Sequence, residues 1–406
     1  MASLSPADDL LEDLSGFRRH ARAWLAANFP AELAAEPARQ TVIVHGPANT
    51  DPAFLLWRGR MAEQGWGVPT WPERYGGGGL SAAEARVLAE EMEAIGAQNP
   101  IVGMAVSLMG PTLLEYGDEA QKLRHLPPAA RGETRWCQGY SEPGAGSDLA
   151  SLQTRAEDRG DHFLVNGQKI WTSGAHFADW CFCLVRTDTT RKHDGISFLL
   201  IDMRSPGIDI RPIPLISGAS TFNEVFFTDV EVPKENLVGP LNGGWTVAKR
   251  LLQFERAGAG RPKRDPQLRP LPEIATAQVG IDADGRLADA DLRMRLTDHE
   301  INALAVRLTA SRLAEAARTG REGTSANAIM KNANVAVNQN RYELLAEMAG
   351  WRGLGWEGEP FTEAELETVR TWLSTKSQSI WGGTNEVQWN IVAKRVLGLP
   401  DVISQR

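Results

Sequence analysis

The spacing of apolar residues changes twice along this chain, and those changes restrict its fold more than any single motif. Over 8–28 the run DDLLEDLSGFRRHARAWLAAN sets Leu10, Leu14, Phe17, Ala21 and Trp24/Leu25 at helical intervals, and Pro30 marks the predicted end of that helix. Helical spacing recurs over 82–93 and 102–116, with Gly117 as a predicted stop. The period then falls to two. His162-Phe163-Leu164-Val165 reads as a strand, Asn166-Gly167 predicts a tight hairpin turn, and Lys169-Ile170-Trp171 begins the predicted return strand. Further strand-like runs follow at 180–187, 195–203, 208–215 and 222–233. From Gly243 the helical period returns and holds, with breaks, to about Leu397. The order predicts an α+β fold that is mostly helical. It divides into an N-terminal helical domain (1–130), a middle antiparallel β-barrel or sandwich (131–240) and a C-terminal helical domain (241–406).

Length and charge narrow the function classes. At 406 residues the chain is long enough for two or three structural units with substantial cores. It carries 43 basic and 51 acidic residues, a formal charge of −8, with no basic block of the kind that nucleic-acid binders show. No apolar run approaches the roughly 20 residues that span a bilayer, and the opening MASLSPADDLLEDL is acidic, so the expected location is cytoplasmic. Cys137, Cys181 and Cys183 show neither C-x-x-C spacing nor paired histidines, which predicts no disulfide framework and no metal. Cys181 and Cys183 share one face of a strand and are expected to be buried.

Several segments carry polar chemistry. WCQGYSEPGAGSD (136–148) is a glycine-rich turn leaving a strand, where backbone can approach a ligand and free N–H groups beside Ser141 and Ser147 can meet anionic or carbonyl oxygens. QKIWTSG (168–174) places two hydroxyls after a large aromatic, a combination suited to a flat cofactor, although a tryptophan there also serves as core packing. WGGTNE (381–386) joins two helices, and LLQFER (251–256) lies on a third. GRPKRDPQLRPLP (260–272) interrupts the helical pattern with four prolines among Arg261, Lys263, Arg264 and Arg269; it reads equally as a solvated loop or a contact for ligand phosphates.

SEPGAGSD, NGQKIWTSG and GGTNEVQWNIVAKRVLG, in this order and spacing, resemble the acyl-CoA dehydrogenase family. GWGVPTWPERYGG and FNEVFFTDVEVPKENLVG extend the resemblance over nearly the whole chain, and within the family it is most similar to the large-subunit pimeloyl-CoA dehydrogenase and related bacterial branches. The resemblance implies a C-terminal four-helix bundle, FAD as cofactor, an acyl-CoA substrate, electron-transferring flavoprotein as electron acceptor and a homotetramer or homodimer. It implies that Gln138, Tyr140, Ser141, Gly146 and Ser147 line the flavin and thioester. Trp171, Thr172 and Ser173 would contact the isoalloxazine ring, and Gly383, Thr384 and Glu386 would lie near FAD. Arg256 matches a substrate-side position, and the Gly382 N–H falls where the family polarises the thioester carbonyl.

One expected group is missing. The reaction takes a proton α to the carbonyl and moves a hydride from the β carbon to flavin, so a carboxylate base is required. Many relatives carry it two residues before the Thr of the C-terminal motif, where this chain has Gly382. Isovaleryl-CoA and long-chain dehydrogenases use an earlier helix position, which Glu255 matches. Ala248, Leu251 and Leu252 precede Glu255 on its helix face and predict partial desolvation and a raised pKa. The competing expectation is an ion pair of Glu255 with Arg250 or Arg256 on a solvated face. Trp389 replaces the usual Arg of the family's Q-R-N run, and DGRLADADLRMRLTDHEI lacks the arginine-phenylalanine-glycine stretch that reaches a neighbouring subunit's FAD. Two other readings therefore stand beside the dehydrogenase: a catalytically silent or half-site subunit of a heteromeric relative, and an oxidase or flavin monooxygenase on the same fold.

Overall fold

The computed structural model describes residues 6–259, 269–318 and 327–400, with side chains over 14–255, 269–316 and 328–400. The described residues fall into two units, one within 6–213 with 221–258 and the other within 214–220 with 259, 269–318 and 327–400.

The first unit opens with helices α1 (Pro6–Asn28), α2 (Ala31–Ala35), α3 (Pro52–Glu63), α4 (Ala82–Ala94), α5 (Gly110–Tyr116) and α6 (Glu119–Ala130). Local chemistry sets their starts: Asp51 caps α3, and Ser81/Glu84 and Asp118/Gln121 form capping boxes on α4 and α6. Ala21 and Leu25 of α1 are buried with Trp57, Met61 and Leu88. Glu91 of α4, itself buried, receives the Arg18 and Arg22 guanidiniums of α1 at 2.8 Å each.

Seven strands follow: β1 (Trp136–Gly139), β2 (Arg155–Asp158), β3 (His162–Ser173), β4 (Trp180–Arg186), β5 (Ile196–Asp202), β6 (Ile208–Ile213) and β7 (Phe222–Pro233). They make one sheet in the order β1-β4-β2-β3-β7-β6, with β5 paired to β4. The sequence predicts antiparallel pairing throughout; β1 and β2 instead pair with β4 in parallel. Every residue of β4 is buried, because one face packs on the helices and the other on the inner sheet core. This explains its unbroken apolar run. As expected, Cys181 and Cys183 are buried, and with Cys137 they are free thiols.

The predicted hairpin at Asn166-Gly167 is not there. β3 runs straight through the pair and bulges, with the register against β7 shifting between Val165 and Gly167. Gly167 has φ +152, and a Cβ there would lie 2.6 Å from the Thr154 Cα. A bulge and a hairpin turn both call on glycine's freedom, so the dipeptide alone cannot separate them. Asn166 pairs across to Asp229 of β7, donating from Nδ2 at 2.9 Å.

α7 (Gly244–Ala259) closes this unit, burying Val247, Ala248 and Leu251 in the cluster that holds Trp136, Tyr140, Phe182 and Phe198. The second unit contains α8 (Leu271–Val279), α9 (Ala290–Arg318), α10 (Asn327–Met348), α11 (Glu363–Thr375) and α12 (Asn385–Ile391). Leu271, Leu292, Leu296, Leu344 and Met348 form its apolar cluster. Residues 260–268 of the proline-rich stretch lie outside the described residues. Among the described residues no helix is long and apolar enough to cross a membrane.

Candidate active site

β1 delivers the chain into Tyr140–Asp148, a loop that closes on itself through paired backbone hydrogen bonds of 3.0 Å between Glu142 and Ala145. Its floor is a buried ion pair. Lys169 of β3, wholly buried, donates from Nζ to Glu142 Oε1 at 2.7 Å and to the Tyr140 carbonyl at 3.1 Å. Glu142 also accepts from the Gln153 and Thr154 amides at 2.6 and 2.9 Å. Burial raises the carboxyl pKa, but the Lys169 charge and these donors outweigh it and hold Glu142 below the usual carboxylate range. The Ile170 amide donates to the Ser141 carbonyl at 2.9 Å. The two segments with the strongest family resemblance are thereby joined.

The outer side of the loop is open: a Cβ on Gly144 or Gly146 would meet nothing within 4 Å, and Gly146 and Ser147 are exposed. Gln138 and Ser141 are half-buried. Past Lys169, β3 bulges again before Thr172. Trp171 takes φ +59, a left-handed conformation that costs a bulky residue roughly 1–3 kcal/mol. Its indole is turned out to 53% exposure, resting edge-on against Phe222 with ring centroids 6.1 Å apart. Thr172 is fully buried with no partner for its hydroxyl among the described residues, and Ser173 is half-buried. An exposed aromatic plane, an open glycine loop and an orphaned buried hydroxyl fit a flat flavin at this place.

On α7, Glu255 follows Leu251 and Leu252 by one turn and shares their face. Sequence reasoning expected partial desolvation; the carboxylate is exposed, because the apolar residues before it turn into the core and leave its own end of the helix uncovered. Arg250 bonds Glu115 of α5 at 2.8 Å and Gln253 at 2.8 Å. Burial raises the pKa of the Tyr140 hydroxyl well above its ordinary range, and the charge of Glu255 adds to the rise. The Arg256 side chain lies outside the described residues.

The remaining predicted residues are in the second unit. Gly382 and Gly383 have φ +64 and +84, and an added Cβ at Gly383 would lie 2.8 Å from Gln388 Nε2. Thr384 caps α12, its hydroxyl accepting from the Val387 amide at 3.1 Å. Glu386 is held below the usual carboxylate range first by its own backbone N–H and then by the Thr384 hydroxyl. Among the described residues no group of His, Cys, Asp or Glu is arranged to hold a metal ion.

Sequence reasoning missed the Glu142–Lys169 pair. The signal was available: Lys169 follows the inward-facing Phe163 and Val165 at even intervals, and a cation on the buried side of a strand needs a carboxylate.

The chain matches three family models in succession: the acyl-CoA dehydrogenase N-terminal domain over 12–133, the middle domain over 137–230 and the C-terminal domain over 242–397. It is 38% identical over 397 residues to the acyl-CoA dehydrogenase IpdE1 of Mycobacterium tuberculosis, covering 96% of this chain and 99% of that protein. Among solved structures, the Tcur3481-Tcur3483 steroid ACAD superposes with a TM-score of 0.72 at 30% identity, covering 98% of this chain and 100% of that one. The ChsE4-ChsE5 complex from Mycobacterium tuberculosis gives a TM-score of 0.69 at 28% identity, covering 99% and 100%. The chain belongs to the acyl-CoA dehydrogenase family of FAD-dependent oxidoreductases.

Proposed function

We propose that this protein desaturates an acyl-CoA thioester between its α and β carbons, with Glu255 as the base for the α proton and an electron-transferring flavoprotein as electron acceptor. The observation that carries the reading is the placement of α7, whose buried face packs into the same cluster as Tyr140 of the glycine-rich loop. Glu255 stands on the helix that shares this cluster with Tyr140. FAD, when bound, supplies the acceptor for the β hydride. The loop around Ser141 and Ser147, Trp171 and the Thr172 hydroxyl would hold it and the thioester in register. An acyl-CoA laid against α7 would exclude water from the exposed carboxylate and raise its basicity. Loss of the α proton to Glu255 builds negative charge on the thioester oxygen, and the Gly382 N–H keeps the role that family resemblance gives it, donating to that oxygen. Gly382 itself cannot act as the base. Glu255→Gln should retain FAD and bind acyl-CoA but lose flavin reduction under anaerobic substrate.

A second reading, a half-site subunit of a heteromeric enzyme, is favoured by one residue, Gly382, and by two structural relatives that each pair two proteins, Tcur3481-Tcur3483 and ChsE4-ChsE5. Under it, the purified chain would take up FAD or reduce it only with a second protein present.

A further inference from the structure

We propose that the Tyr140 hydroxyl is a positioning donor for the Glu255 carboxylate, holding it charged and aimed at the α proton; the inference rests on the reading of Glu255 as base. Tyr140 is 5% exposed. Its ring is packed edge-on against Phe182 and Phe198, with centroids 6.0 and 6.4 Å away. The hydroxyl has no hydrogen-bond partner among the described residues. A phenylalanine would fill the same slot without a desolvated hydroxyl, so the oxygen is a stability cost unless it serves a group that reaches it in the working enzyme.

Among the described residues, burial first and then the charge of Glu255 push the Tyr140 hydroxyl well above its ordinary range, ahead of Cys183 and Cys181 of β4. The packing places the two groups at one end of the cluster: Val247, Ala248 and Leu251 of α7 share it with Tyr140, Leu252 and Phe254 pack against it, and Glu255 follows one turn after Leu251 with its carboxylate exposed. Other titratable groups stand around the cluster: His125 of α6 packs edge-on against Trp136 and Trp180 with its own Nε2 unpartnered. Lys169 of β3 is closed by Glu142, Glu115 of α5 by Arg250, and Tyr116 of α5 lies with the latter pair. Tyr140 is the uncommitted donor on the glycine-rich loop itself, among the described residues. A donor to the ionised form keeps a carboxylate charged when substrate removes its water, which is when the base must be ready.

The test is the pH dependence of the single-turnover rate of anaerobic flavin reduction in Tyr140→Phe, beside the native enzyme and Glu255→Gln. Tyr140→Phe should bind FAD fully and melt no lower than native. The apparent pKa of the base in its profile should rise by about one, slowing reduction at pH 6 roughly tenfold and leaving the rate near pH 9 little changed. An unshifted profile in Tyr140→Phe, with Glu255→Gln inactive, overturns the role of Tyr140 and leaves the base standing. Normal reduction by Glu255→Gln removes both. Loss of FAD or a lowered melting temperature in Tyr140→Phe would make the hydroxyl structural and likewise overturn the proposal.

Discussion

At the scale of single residues, the site is organised by a pair whose members are 27 positions apart in sequence, Glu142 and Lys169. Both are buried, and each neutralises the other's desolvation cost. Removing one leaves a lone buried charge, which typically costs about 3–5 kcal/mol. Lys169→Met should therefore lower the melting temperature markedly and weaken FAD retention. Lys169→Met with Glu142→Gln should recover part of the loss, measured as a double-mutant cycle on thermal unfolding. Ser141, Trp171 and Thr172 stand out in the sequence as candidates because they fall in short segments that carry the family resemblance. The ion pair was not read from it, because nothing local in either segment names the other as its partner. The φ of Trp171 was also hidden, since a tryptophan gives no sign that the strand will twist it into a left-handed conformation.

At the scale of elements, the change of hydrophobic period located α1, α4, α5 and most of the strands, and left α2, α3 and α6 unplaced. The strand expected at 222–233 is β7 with the same limits. It failed at Asn166-Gly167, where a bulge and a turn use the same residues; what decides is the partner strand β7, which continues past the bulge. Gly167→Ala should destabilise the protein by roughly 1–3 kcal/mol through the positive φ and the contact with Thr154, read as a lowered melting temperature with the fold otherwise kept.

The join of α1 to α4 gives a pH prediction. Arg22 and Arg18 hold the Glu91 carboxyl at about 2, against an ordinary 4.5. A depressed carboxyl contributes stability that is complete above its unfolded value and lost as pH falls through the folded one. Stability should therefore decline between about pH 4.5 and 2, and Glu91→Gln should remove that part of the acid transition, followed by the fluorescence of Trp57 and Trp66 in the same cluster. A variant whose acid transition matches the native one would place the loss elsewhere.

At the scale of the molecule, three successive family models and relatives matched over nearly the whole chain fix the chemistry class. The general helical–sheet–helical order was legible because it depends on periodicity alone. The parallel pairing of β1 and β2 with β4 was not, since pairing partners are chosen by long-range packing that alternation does not encode. The activity itself turns on whether a glycine at 382 has been offset by a carboxylate at 255. The most direct measurement is anaerobic bleaching of the bound flavin across acyl-CoAs differing in length, branching and terminal carboxylate, with the native protein and Glu255→Gln side by side. The account predicts fast bleaching of the native protein by one substrate class and none in the variant at equal FAD content. Native-like bleaching in Glu255→Gln, or a native protein that no acyl-CoA bleaches, would contradict it.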